Sequence, residues 1–229
     1  MNVVRGGFDV VDRDARATAI LLDRCAASGD SVVRVWRPPK HVAFGRRDTT
    51  REGYADVREH VSDAGYAVHE RAVGGRAVVH TGTTVSIAWI APADDARFAI
   101  PERYDRLRSW IRGAFRGTRA ELSEGEPPHS WCPGDHSLMI DGKVCGIAQR
   151  VTTDCALTAA IVIVQDVDEI ARLSSRIYDG LDLPFDPATV DGVREHDARL
   201  STEAVINQIG SEIRHSDDRV EHITEVIDS

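Results

Sequence analysis

The sequence predicts an α+β domain built on a mixed or antiparallel sheet. Strand-like runs outnumber helical ones, and several strands follow one another through turn signals with no helix between them. A doubly wound sheet would alternate strand and helix along the chain.

Taken in order, residues 12–27 read as a helix. Asp12 or Asp14 caps it, Ala17, Ile20, Leu21 and Leu22 form the apolar stripe, and Gly29 ends it. Residues 31–37 alternate as a strand until Pro38-Pro39, and 41–44 form a short strand running into Gly45. Residues 50–63 are helical, stopping at Gly65. A strand over 66–70 enters Gly74-Gly75, and 77–79 and 85–90 continue as strands. Residues 100–116 form an amphipathic helix with Pro101 in its first turn. The segment 119–131, rich in glutamate and proline, reads as an exposed loop. Leu138-Met139-Ile140, the turn pair Asp141-Gly142 and Val144 onward predict a hairpin. An apolar strand over 156–164, a helix over 167–178 and a last helix near 201–213 precede an acidic tail. The expected organisation is a main domain over residues 1–185 and a short helical extension over 186–229.

At 229 residues, 42% apolar and 28% charged, the chain reads as an ordinary globular protein. No apolar run approaches the roughly 18 residues of a membrane span, and the N-terminus lacks the apolar core of a secretory signal, so a cytoplasmic location without membrane partners is expected. A net charge of −9 disfavours nucleic acid as a partner. Cys25, Cys132, Cys145 and Cys155 form no CxxC pair, so neither a zinc site nor a disulfide framework is expected. Only Lys40 and Lys143 are lysines among 28 basic residues. A lysine surviving in such an arginine-dominated chain suggests a tight site where a compact ammonium fits and a planar guanidinium does not.

Two segments stand apart from scaffold. In Arg71-Ala72-Val73-Gly74-Gly75-Arg76, adjacent glycines let a ligand approach the backbone while arginines supply contacts; the plainer reading is a hairpin turn with solvated arginines. In Trp131-Cys132-Pro133-Gly134-Asp135, followed by Gly142-Lys143-Val144, a thiol sits on a Pro-Gly loop near a lysine that would favour its thiolate; the plainer reading is a small buried loop residue. Cys145 and Cys155 lie in apolar strands and read as core. His80 is either a site residue or a strand histidine satisfied by its neighbours.

Together, Gly74-Gly75-Arg76-Ala77-Val78-Val79-His80 and Gly142-Lys143-Val144-Cys145-Gly146-Ile147-Ala148-Gln149-Arg150 resemble the signature of the lipoate–protein ligase and octanoyltransferase family, with Gly45-Arg46-Arg47-Asp48-Thr49 as a matching early strand end. The resemblance runs over roughly residues 15–180. Ser130-Trp131-Cys132-Pro133-Gly134-Asp135 is most similar to the octanoyl amidotransferase branch, which moves an octanoyl group from the glycine-cleavage H protein to other lipoyl domains. Val73, Ala72 and Glu70 depart from the usual pattern, and the turn before Lys143 is one residue shorter.

The resemblance implies a biotin/lipoate-ligase-like catalytic domain, a mixed sheet flanked by helices. It implies Cys132 as acyl-accepting nucleophile and Lys143 as the partner of its thiolate and of the acyl carbonyl. The Gly74-Gly75 strand and the Lys143 hairpin would grip the acyl chain. Arg71, Gly74, Gly75, Arg76, His80, Gly146 and Ala148 are the expected substrate-binding residues, with Arg71 and Arg76 at the pocket mouth to meet carboxylates near the carrier lysine. Partners would be lipoyl carrier domains, namely the glycine-cleavage H protein and E2 subunits of 2-oxoacid dehydrogenases, and the transferase would need no cofactor. The alternatives are an ATP- and magnesium-dependent ligase forming a lipoyl-adenylate, in which Cys132 is incidental, and a non-catalytic carrier-binding module. In the family an ATP-using member needs an extra C-terminal domain or a partner chain. The chain after Phe185 is short for such a domain, which favours the transferase and leaves a ligase with a separate partner subunit as the open alternative.

Overall fold

A computed structural model describes residues 2–71, 75–93, 100–214 and 219–227. Along the chain run β1 (Asn2–Arg5), α1 (Val11–Ser28), β2 (Val32–Trp36), β3 (His41–Phe44), α2 (Tyr54–Asp63), β4 (Ala67–Glu70), β5 (Val78–His80), β6 (Val85–Pro92), α3 (Ile100–Ala114), β7 (Ser123–Glu124), β8 (Ser137–Met139), β9 (Lys143–Val151), β10 (Cys155–Val162), α4 (Val167–Gly180), α5 (Val193–His196), α6 (Thr202–Ile213), β11 (Arg219–His222) and α7 (Ile223–Ile227). Eight strands form one sheet in the order β11-β1-β2-β6-β10-β9-β8-β7, and a smaller sheet has the order β4-β3-β5. Parallel pairs sit at β11-β1-β2 and β3-β4, and the remaining pairs are antiparallel. The mixed α+β architecture expected from the sequence is the one observed.

Each face of the large sheet is covered. Val33, Val35 and Ile87 pack with Leu107 and Ile111 of α3 and with Val205, Ile209 and Ile213 of α6. On the other face Ala17, Leu21 and Cys25 recur at the four-residue spacing of one helix stripe and pack with Val4, Val32 and Ile90. A further cluster joins the small sheet to α2 and α4 and includes Trp131, Ile177 and Tyr178. No helix among the described residues is long and apolar enough to cross a membrane.

The structure differs from the sequence expectations at three places. Neither Asp12 nor Asp14 caps α1, which begins at Val11 without a side-chain cap. Asp14 turns inward and pairs with Arg34 at 2.5 Å, while its second oxygen takes the Trp36 indole N–H at 2.8 Å. Arg34 is fully buried, and carboxylate and carbonyl partners hold it there. The segment after residue 185 is not a separate appendage: α6 fills the main core, and β11 extends the large sheet beside β1. Segment 119–131, expected to be exposed, buries Ala120, Leu122, Ser130 and Trp131 and contributes β7. Cys25, Cys145 and Cys155 are buried, and burial raises the Cys145 thiol to about 12, so this sulfur stays protonated.

His41 and His80 pair in register across β3 and β5, with their rings stacked 4.4 Å apart, and both are buried. Burial, opposed by a hydrogen bond to the Pro39 carbonyl, lowers His41 from 6.5 to about 4, and burial lowers His80 well below its ordinary value. In the unfolded chain both would bind protons near 6.5, so folding stability is full above that pH. It falls as pH drops from 6.5 toward 4, where the unfolded state binds protons that the folded state refuses. For His41 alone the loss amounts to about 3 kcal/mol. Urea unfolding midpoints are expected to fall steeply between pH 7 and pH 4.5, and the slope should flatten in His41→Gln.

Candidate active site

Cys132 occupies the loop between β7 and β8 with φ 41°, in the left-handed region that non-glycine residues avoid at a cost of about 1–2 kcal/mol. Contacts on both sides of the residue oppose relaxation. Its N–H donates to the Tyr178 hydroxyl at 2.5 Å, and its carbonyl accepts from Lys143 Nζ at 2.9 Å. The sulfur takes the backbone N–H of Arg76 at 3.3 Å and lies 3.7 Å from Arg71 Nη2. An N–H dipole and a guanidinium thus meet at one sulfur.

The donors are held in turn. Phe44 ends β3 at Gly45, and the buried Asp48 accepts the Gly45 N–H through one oxygen and the Arg76 guanidinium at 3.2 Å through the other. A Cβ at Gly45 would overlap the Gly75 carbonyl, so only glycine lets these two segments meet. Gly75 itself has φ 99°, and a Cβ there would lie 2.9 Å from Cys132 Sγ and 3.0 Å from Arg71 Nη2. Arg71 also donates to the Arg76 carbonyl.

Lys143 is fully buried behind the loop. Its ammonium lies 3.0 Å and 2.9 Å from the two Glu126 oxygens, and it donates to the carbonyls of Trp131 and Cys132, each at 2.9 Å. The Trp131 ring lies 4.8 Å from Nζ and rests over Gly146, where a Cβ would meet it at 3.3 Å. The hairpin before Lys143 is fastened from the C-terminal segment. Asp191 accepts the N–H groups of Asp141 and Gly142, each at 3.1 Å, and donates its own N–H to the Lys143 carbonyl.

In front of the sulfur opens a cavity of about 420 Å³. Register pairs Gly146 with Ile161, Ala148 with Ala159 and Arg150 with Leu157, and these six residues line it from β9 and β10. The loop from Trp131 to Ser137, with Arg71, Gly75 and Val78, lines it too, and Tyr104 stacks on His136 at 3.6 Å along one wall.

Of the residues singled out in the sequence, Cys132, Arg71, Gly75, Gly146 and Ala148 converge on this cavity, and Arg76 reaches the sulfur through its backbone. Three stand otherwise. Lys143 does not touch the sulfur, since its three protons are taken up by the loop. His80 is buried between His41 and Thr84, bonded to the Thr84 hydroxyl at 2.9 Å, and does not line the cavity. Gly74 lies outside the described residues. Sequence reasoning missed Glu126, Tyr178 and Asp191, and gave Asp48 no role beyond its place in the motif from Gly45 to Thr49. A buried lysine requires a carboxylate, and the acidic run before Trp131 was a signal for Glu126; nothing local marked the others. Among the described residues no group of three His, Cys, Asp or Glu side chains is arranged to hold a metal ion.

This geometry falls within a known class: residues 15–212 match the lipoyl protein ligase A/B catalytic domain, and the chain belongs to that family. Its relatives include an octanoyl-GcvH:protein N-octanoyltransferase of Geobacillus kaustophilus, 32% identical over 60% of this chain and 47% of that protein. A lipoyl-GcvH:protein N-lipoyltransferase of Listeria monocytogenes is 27% identical over 64% of this chain and 53% of its own length. The chain thus spans about half the length of the relatives it matches. Among solved structures, a lipoate-protein ligase A bound with ATP superposes with a TM-score of 0.73 at 20% identity, covering 100% of this chain and 92% of that one. A bipartite archaeal lipoate protein ligase from Thermoplasma acidophilum gives 0.69 at 17% identity, covering 99% and 88%. At these identities the likeness establishes the fold.

Replacing Lys143 with Met would leave the Glu126 carboxylate and two loop carbonyls facing an apolar side chain. With Glu126 partly solvated, the expected loss is about 2–3 kcal/mol in urea unfolding, accompanied by slower alkylation of Cys132. Lys143→Arg should not restore either quantity, because the buried cradle has no room for a planar guanidinium. Wild-type stability and alkylation in Lys143→Arg would show that charge alone suffices.

Proposed function

We propose that this chain transfers an octanoyl or lipoyl group between lysines of lipoyl carrier domains through a thioester on Cys132. The observation that carries the reading is the sulfur itself. It is held by the Arg76 N–H and the Arg71 guanidinium at a cavity floored by Gly146, Ala148, Ala159, Leu157 and Ile161. The names of the relatives, which give octanoyl- or lipoyl-GcvH as the donor, support the substrate class. E2 lipoyl domains as acceptors and a cytoplasmic setting are part of the same proposal.

An amide is a poor acyl donor, and a thiol nucleophile divides the transfer into two easier steps. Cys132 Sγ attacks the carbonyl carbon of an acyl-lysine. The C–S bond forms, the C–N bond breaks, and the thiol proton leaves with the donor lysine as a free amine. The acceptor lysine amine then attacks the thioester and forms the new amide. Cys132 departs as a thiolate and recovers its proton from the attacking amine. Arg76 N–H and Arg71 steady the sulfur, and Arg71 is the donor that would meet charge moving onto the carbonyl oxygen. Lys143 serves by fixing the loop that carries the nucleophile. Nothing in this sequence of steps consumes ATP.

The test is transfer of octanoate from an octanoylated H protein to an apo lipoyl domain, with neither ATP nor magnesium. Cys132→Ala should abolish it, whereas Cys145→Ser and Cys155→Ser should keep most of it if they fold. Full ATP-free transfer by Cys132→Ala would overturn the thioester. Attachment of free octanoate only with ATP, with no transfer from the acylated carrier, would establish the ligase reading and make Cys132 a structural residue.

A further inference from the structure

Tyr178 lies on the inward face of α4, is 1% exposed, and packs beside Trp131 and Ala77 with its ring 4.9 Å from that of Phe185. Its hydroxyl joins two segments far apart in the chain. It accepts the Cys132 N–H at 2.5 Å and donates to the Ala77 carbonyl at 3.1 Å. Ala77 follows Arg76, whose N–H holds the sulfur. One oxygen atom therefore fixes both the cysteine and the donor facing it.

The cysteine needs such a fixture. Its left-handed backbone is unfavourable for a side chain bearing a Cβ, and the loop around it contains Pro133 and Gly134 but no regular structure. Lys143 secures the carbonyl side, and Tyr178 secures the N–H side. Burial raises the tyrosine hydroxyl well above its ordinary range, so it keeps the proton it donates to Ala77.

We propose that Tyr178 is a positioning residue for Cys132: its hydroxyl holds the cysteine in the left-handed conformation and sets the separation between Sγ and the Arg76 N–H. It does not touch the acyl group. Without the hydroxyl, Cys132 relaxes toward ordinary backbone angles and its sulfur swings off the two donors. The proposal rests on the reading of Cys132 as nucleophile.

The test is Tyr178→Phe, which keeps the ring and its packing and removes one oxygen. The melting temperature should fall by only a few degrees. The kcat for octanoyl transfer should fall about tenfold or more while KM for the acylated carrier stays within about twofold, the split expected when nucleophile geometry is lost and substrate binding is kept. Alkylation of Cys132 by iodoacetamide at neutral pH should slow by a similar factor. A kcat and an alkylation rate both within about twofold of the parent protein would overturn the proposal. Should the variant not fold, amide hydrogen exchange in the unmodified protein decides: strong protection of the Cys132 N–H is expected, and exchange at the rate of a free loop amide overturns it. If the parent protein transfers no acyl group, the proposed function fails, while alkylation and exchange still report on Tyr178.

Discussion

The site depends on one buried ammonium. Placing Lys143 out of water is unfavourable unless every proton finds an acceptor, and the segment from Glu126 to Cys132 supplies a carboxylate and two carbonyls. The dependence is mutual, since the loop has its observed course because those oxygens converge on one point. Asp191 anchors the hairpin that delivers the lysine, which makes the C-terminal third of the chain part of the site's foundation.

A second layer of constraint acts from the opposite side. Asp48 holds Arg76, Gly45 and Gly75 allow two backbones to touch, and Tyr178 ties Ala77 to Cys132. The cysteine is thus clamped between two bodies of structure, the β8–β9 hairpin and the residues leading into β5. Strain at φ 41° is tolerable only because both of its peptide groups are occupied. The result is a sulfur whose surroundings are set before any ligand arrives, the preorganisation that the proposed transfer would use.

The sequence made the cysteine loop and the lysine hairpin legible because each is a short, continuous motif with distinctive turn chemistry. It also revealed α3, α4 and α6 through their apolar periodicity. The supports were opaque for a common reason. Tyr178 reads as one more apolar position on α4, Asp48 as a polar residue after a strand, and Asp191 as the start of a polar stretch; their partners lie far along the chain. Asp14 was misread as a cap for the same cause, because its partners Arg34 and Trp36 lie on a strand some twenty residues further on. β1 and β11 escaped notice as four-residue parallel strands lacking a hairpin between them. Proximity in sequence to Cys132 suggested the sulfur as the partner of Lys143, whereas its ammonium reaches the Cys132 carbonyl.

If these constraints exist to present a sulfur to an acyl amide, the thioester must form on Cys132 when donor alone is present. The most direct measurement is intact-protein mass spectrometry after mixing the protein with octanoylated H protein, without acceptor, ATP or magnesium. The account predicts one octanoyl adduct, mapped by proteolysis to Cys132, released by neutral hydroxylamine and discharged by apo lipoyl domain. No adduct under conditions where octanoyl transfer to the acceptor proceeds, or an adduct on any other residue, would contradict it.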